Sequence, residues 1–173
     1  YTIFGGSCGG YYLVDPGASW YFYCTSNQTG TSHVFIDGGR IGEIFAAGMY
    51  SNLTGTQMVE GHENMRAVEM VITGGTLGGH HLRVFGGGER GEVHGDIYIR
   101  MEGDANIESQ LVGGSNVGTV HGNIEMDLIS GYAFRVDAAG IGWGNVEEGI
   151  AHIDGDVQVN LYRAGTSSST SPF

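Results

Sequence analysis

Three residues in matching sequence positions have the chemistry of metal ligands. His94 and His121 stand in the phrases Val93-His94-Gly95 and Val120-His121-Gly122, and Asp154 fills the same place in Ile153-Asp154-Gly155. His152 lies two residues ahead of Asp154. Imidazole and carboxylate together suit a divalent ion. Three ligands in a straight column at strand spacing, however, do not converge on a tetrahedral centre. The expectation is therefore a solvent-facing ladder without metal, in which acid charges neighbouring imidazoles together and weakens the stack. His80 and His81 follow Gly78-Gly79 in a loop. Adjacent residues of an extended loop point apart, so no shared ion and no role is expected there.

Other chemistries leave fainter traces. Acidic residues are plentiful, but Gly103-Asp104-Ala105-Asn106 and Asp154-Gly155-Asp156 fall short of a calcium loop. No cofactor is expected, and at most weak surface calcium. A glycoside hydrolase needs paired carboxylates, and Asp127 and Asp137 are the pair that neighbouring strands could bring together. Arg100 and Arg135 are the nearby cations, and Arg100 and Asp127 are expected to form a cross-strand ion pair. No serine or cysteine nucleophile stands at motif spacing from a base. Ice binding asks for regular outward threonine columns, and the outward columns here are mixed.

The elements that would position these groups are visible as repeats. Val93-His94-Gly95-Asp96-Ile97-Tyr98-Ile99-Arg100-Met101 returns 27 residues later as Val120-His121-Gly122-Asn123-Ile124-Glu125-Met126-Asp127-Leu128. It returns again, offset by 33, as Ile153-Asp154-Gly155-Asp156-Val157-Gln158-Val159-Asn160-Leu161. A weaker copy runs Ala67–Gly75. Ile97, Ile99 and Met101 alternate with polar neighbours, as a strand with one buried face does. A second element, two larger residues followed by small ones, recurs as Val84-Phe85-Gly86-Gly87-Gly88 and Leu111-Val112-Gly113-Gly114-Ser115. A third, shorter one recurs as Arg90-Gly91-Glu92-Val93 and Val117-Gly118-Thr119-Val120.

Three glycine-ended strands per period predict an all-β parallel solenoid with three sides and about five coils over residues 33–165. Like residues would stack on like about 4.8 Å apart. Gly95, Gly122 and Gly155 would turn each coil in the same way, and Asp96, Asn123 and Asp156 would cap the turns. Residues 1–32 break the pattern with Tyr11, Tyr12, Trp20, Tyr21, Phe22 and Tyr23, which suits an N-terminal cap over the open end. Residues 166–173 read as a Ser/Thr-rich linker.

Composition agrees. The chain has 173 residues, 33 of them glycine and 2 proline, and a net charge of −12 with arginine as the only cationic residue. Nucleic acid and anionic membranes are poor partners for that charge. No apolar run is long enough for membrane insertion. Cys8 and Cys24 are expected to pair in a disulfide, and Asn27 and Asn52 begin Asn-x-Thr triplets.

The phrases Val93-His94-Gly95-Asp96-Ile97-Tyr98-Ile99 and Val84-Phe85-Gly86-Gly87-Gly88 resemble the glycine-rich repeats of bacterial adhesin-like surface proteins, over roughly residues 67–162. The resemblance implies a right-handed parallel β-helix in a secreted or cell-wall-attached extracellular protein.

Function on this reading is non-catalytic: a binding or spacer domain recognising a host protein or glycan, with self-association through the solenoid ends. The alternatives are a polysaccharide-degrading enzyme and a self-assembling structural unit. Insertions in a solenoid map to loops on one side, so the long segments Met49–Asn64 and Gly140–Gly149 are expected to carry the ligand contacts. Their candidate residues are Tyr50, Asn52, His62, Glu63, Trp143 and Glu147.

Overall fold

The computed structural model describes residues 1–6, 10–13, 21–24, 27–58, 65–142 and 150–162. Among them every regular element is a strand. In chain order these are β1 (Thr2–Phe4), β2 (Gly10–Leu13), β3 (Tyr21–Cys24), β4 (Ser32–Ile41), β5 (Glu43–Phe45), β6 (Gln57–Met58), β7 (Met65–Leu77), β8 (Val84–Phe85), β9 (Asp96–Met101), β10 (Asn106–Val112), β11 (Gly118–Val120), β12 (Ile124–Leu128), β13 (Tyr132–Asp137), β14 (Ala151–Ile153) and β15 (Val157–Leu161).

The expected right-handed, three-sided β-helix of five coils is corrected here. The strands join in one open, twisted, mostly parallel sheet of eleven strands, with a backbone path β1-β5-β8-β10-β7-β9-β12-β15 and β13, β4 and β6 pairing beside it. The reason lies in strand length. β4, β7 and β10 run on through positions where the repeat placed turns. β7 bonds β9 along Arg66–Ile72 and then β10 through Thr76 and Leu77. β10 in turn bonds β8 through Leu111 and Val112. What the repeat marks as separate short sides is thus one continuous hydrogen-bonded ladder. Gly75, at φ 91°, bends β7 instead of ending it. Two small pairs stand apart, β11 with β14 in parallel and β2 with β3 antiparallel. β3 ends at Cys24, opposite Gly10, while Cys8 lies outside the described residues, as does the linker 166–173.

The repeat register itself is present. Ile97, Ile124 and Val157 pair in sequence, as do Ile99, Met126 and Val159, and Met101, Leu128 and Leu161. Met70 and Ile72 of β7 extend the columns. The members on β7, β9 and β12 are buried in one continuous apolar cluster with Leu53, Leu77, Val93, Ile107, Leu111 and Val120, whereas Val157, Val159 and Leu161, expected inside, are exposed on the last strand of the row. A second cluster holds Phe45, Phe85 and Val112, with Phe4 and Ile141 packed against it. Phe4, Phe45 and Phe85 stack almost face-parallel, with centroid separations of 5.6 and 4.8 Å. In-register parallel pairing places the rings there, since Phe4 pairs with Phe45 and Phe45 with Phe85.

The polar side of β9, β12 and β15 is cross-linked. Tyr98 Oη donates to Asp127 at 2.8 Å, and Asn160 Nδ2 donates to the same carboxylate at 2.8 Å. Burial and this bond push the Tyr98 hydroxyl well above its ordinary value. Arg66 lies over the Tyr98 ring at 3.7 Å, a cation–π contact. Arg100 and Asp127 do pair in register, but Arg100 bonds Glu102 at 2.7 Å. The carboxylate two residues on, just past the end of β9, therefore takes its hydrogen bond. The turns before these strands are capped as expected: Asp96 Oδ1 accepts from the Asn123 amide at 2.7 Å, and Asn123 Oδ1 from the Asp156 amide at 2.8 Å.

Two carboxyls sit against the grain of this packing. Burial pushes Glu43 above its ordinary 4.5, with the Glu89 charge adding to it. Burial pushes Glu89 up as well, and Arg90 opposes that. A carboxyl held more tightly protonated in the fold contributes most below 4.5 and loses that contribution as pH rises through its folded value. Glu89→Gln is therefore expected to raise the melting temperature at pH 7 and to change it little at pH 4. Equal shifts at the two pH values would contradict the assignment.

Candidate functional site

Two surface regions concentrate side chains that could meet a ligand. The first is a groove of about 450 Å³ lined by residues of the 79–83 turn, β10 and β13. Its geometry starts from a register fault. Ile107 pairs with Ala133 and Gln110 with Arg135, so Glu108 and Ser109 stand opposite the single residue Phe134. This is a β-bulge, a device that re-aims side chains and interrupts pairing. Phe134 is left 70% exposed beside the groove floor. The opposite wall is a tight turn in which the Leu82 amide donates to the Gly79 carbonyl at 3.1 Å. His80 and His81 occupy its tip, their rings edge to face at 3.9 Å, with His81 at φ 67°.

The groove gathers three of the seven arginines of an acidic chain. Arg83 and Arg135 line it, and Arg40 reaches the lining residue Glu108 at 3.0 Å. A polar chain ties its lining residues to Asp137 beyond it: Arg83 Nε donates to Gln110, Gln110 Nε2 to Asp137 at 3.1 Å, and Arg135 Nη2 to Asp137 at 2.6 Å. Burial pulls Arg83 below its ordinary value, and the charges of Glu43 and Asp137 oppose this. The result is an apolar ring rising from a fixed bed of hydrogen-bonding groups.

The second region is a lattice of imidazoles and carboxylates. Val93, Val120 and Ile153 pair across successive strands with their side chains inward. The residues on either side of each therefore share the outer face. One row is Glu92, Thr119 and His152; the other is His94, His121 and Asp154. His94 and His121 stack at 4.5 Å and 26°. Glu92 Oε2 lies 3.0 Å from His94 Nε2 and 3.7 Å from His121 Nε2. Asp154 contacts His121 Nδ1 at 2.6 Å and His152 Nε2 at 3.0 Å. Each of the three imidazoles thus faces a carboxylate.

The loop candidates lie elsewhere. Tyr50 is 8% exposed, at φ 41°, with the Arg90 guanidinium 5.7 Å from its ring. Asn52 Oδ1 accepts from the Glu92 amide at 3.0 Å, and its carbonyl accepts from Gln28, so it joins neighbouring segments. His62, Glu63, Trp143 and Glu147 lie outside the described residues. Asp127 and Asp137, the carboxylates considered for hydrolysis, are both held in the hydrogen bonds above.

Sequence reasoning missed Phe134 and Glu92. Phe134 stands outside the repeated phrases, and the bulge that exposes it depends on pairing. Glu92 carried a legible signal: it lies two residues before His94, the same spacing that ties His152 to Asp154. The chain matches no family model, no curated protein and no solved structure.

Proposed function

We propose that this chain is a non-catalytic binding module of a secreted or cell-surface protein, taking a glycan or a host protein in the groove beside Phe134. The exposed Phe134 ring carries the reading. A large apolar side chain set at 70% exposure against fixed polar groups is the arrangement that recognition surfaces use, an aromatic anchor rimmed by hydrogen-bonding side chains. The arginines supply directed donors to hydroxyl, carbonyl or carboxylate groups. A binding role without hydrolysis fits the one carboxylate among the residues lining the groove, Glu108, which Arg40 bridges; glycoside hydrolysis asks for two.

Screening against glycan arrays and extracellular-fluid proteins, with Phe134→Ala beside the native chain, tests this. Phe134→Ala is expected to weaken the ligand by about 30-fold, the effect of losing an anchor worth about 2 kcal/mol. A bound ligand indifferent to Phe134 would place recognition elsewhere. Release of sugar products from a polysaccharide would replace the binding reading with the enzymatic one.

A further inference from the structure

We infer that Glu92, His94 and His121 form a binding site for a single zinc ion. Among the described residues this is the cluster in which three ligand atoms lie within 4.8 Å of one another. Zinc takes imidazole nitrogen and carboxylate oxygen at about 2.0–2.2 Å in tetrahedral geometry, which sets neighbouring ligand atoms roughly 3.3–3.5 Å apart. The Glu92 oxygen lies 3.0 Å from His94 Nε2 and 3.7 Å from His121 Nε2, bracketing that spacing. At 3.0 Å His94 Nε2 donates a hydrogen bond to Glu92, so the ring binds the ion by shifting that hydrogen to Nδ1, as metal ligation requires, and small rotations of exposed side chains close the remaining difference. Two nitrogens and one oxygen favour zinc over calcium, which asks for six to eight oxygens.

Asp154 supplies the second argument. Its Oδ2 sits 2.6 Å from His121 Nδ1. A carboxylate only accepts, so that nitrogen carries the hydrogen, and in the neutral ring Nε2 turns a lone pair toward Glu92. The 3.7 Å gap between Nε2 and the Glu92 oxygen is longer than a hydrogen bond. Two electron-rich atoms facing each other across such a gap suit a cation between them. A carboxylate behind a histidine whose other nitrogen faces the metal is the usual outer support of a zinc ligand. Asp154 is in this sense a positioning residue, held in turn by His152 at 3.0 Å.

The straight column His94-His121-Asp154 does not converge, as its spacing predicts. Convergence comes from Glu92, one row over, reaching diagonally between the two rings. The Asn52 side chain fixes the Glu92 backbone at 3.0 Å. Three protein ligands leave the fourth position to water or to a partner's donor group, on a surface where all three side chains are between a third and a half exposed.

Titration calorimetry with zinc chloride on the whole chain tests this, read together with the melting temperature with and without chelator. The native chain is expected to bind one zinc ion and to melt higher with it. His94→Ala and His121→Ala should each abolish binding. Asp154→Asn should weaken it about 10- to 100-fold, the range for outer partners of metal ligands. His80→Ala/His81→Ala should bind as the native chain does. Absence of zinc binding by the native chain overturns the site, as does binding that survives His94→Ala and His121→Ala. Should either alanine variant fail to fold, Glu92→Gln carries the same test from the oxygen side.

Discussion

Phe85→Ala is expected to destabilise the protein by about 3–5 kcal/mol, the range for removing a buried aromatic side chain. Phe85 is 1% exposed, sits between Phe45 and Val112, and is the ring through which the N-terminal edge of the sheet meets its centre. Its loss removes the 4.8 Å stack with Phe45 and opens a cavity between strands whose spacing is fixed by backbone bonds. Those bonds keep the neighbours from collapsing into the space, which places the cost toward the upper end. In a chain of this size the melting temperature should fall by about 6–20 °C. Phe35→Ala is the comparison: that ring is 69% exposed on β4 and should cost little. Equal losses would mean that the aromatic stack is not what joins the two parts of the sheet.

Gly122→Ala should be comparably damaging for the opposite reason, overpacking. A Cβ at this position would fall within 3 Å of the Gly95 carbonyl and the Asp96 amide on the preceding turn. Both are backbone atoms, held by the Asn123-to-Asp96 cap and by the pairing of β9 with β12. Neither can swing aside as a side-chain tip would, so the turns must separate. We expect about 3 kcal/mol or more, the upper end for inserting a methyl into a packed interior. Gly155 meets Gly122 in the same way. Gly38→Ala is the control: nothing lies within 4 Å of its Cβ, and there alanine should be neutral or slightly stabilising. Denaturant titrations of the two variants give the comparison, and a tolerated Gly122→Ala would remove close approach as the reason for glycine.

These two expectations separate what the chain order states from what only pairing creates. The recurring glycines mark positions where the sequence places turns, and turns are where Gly95, Gly122 and Gly155 lie. Yet Gly122 is required mainly because the backbone of the preceding turn passes so near, a constraint that exists only once the repeats are stacked. Likewise the alternation in Ile97-Tyr98-Ile99-Arg100-Met101 states which side chains go inward, because a strand has period two whatever it pairs with. The partner of Arg100 was not legible: register puts Asp127 opposite it, but Glu102, just past the end of β9, is the carboxylate it bonds.

The sequence by itself determined the strand content, the repeat register over residues 93–161, the inward residues of β9 and β12 and the capping side chains, because these follow from local periodicity and from like segments pairing in parallel; Val157, Val159 and Leu161 keep the register but are exposed, since β15 ends the row and nothing is stacked beyond it. Only the tertiary structure decided how the strands connect. Long β7 and β10 share hydrogen bonds with strands the repeat would keep apart, and periodicity says nothing about where a strand stops pairing with one neighbour and starts with another. The same holds for the surface sites. The bulge that exposes Phe134 is a mismatch between two strands, and the approach of Glu92 to His94 and His121 crosses two rows of the lattice. The bulge and the approach of Glu92 to His121 depend on distances between segments more than 20 residues apart in the chain, whereas the Glu92–His94 contact is local.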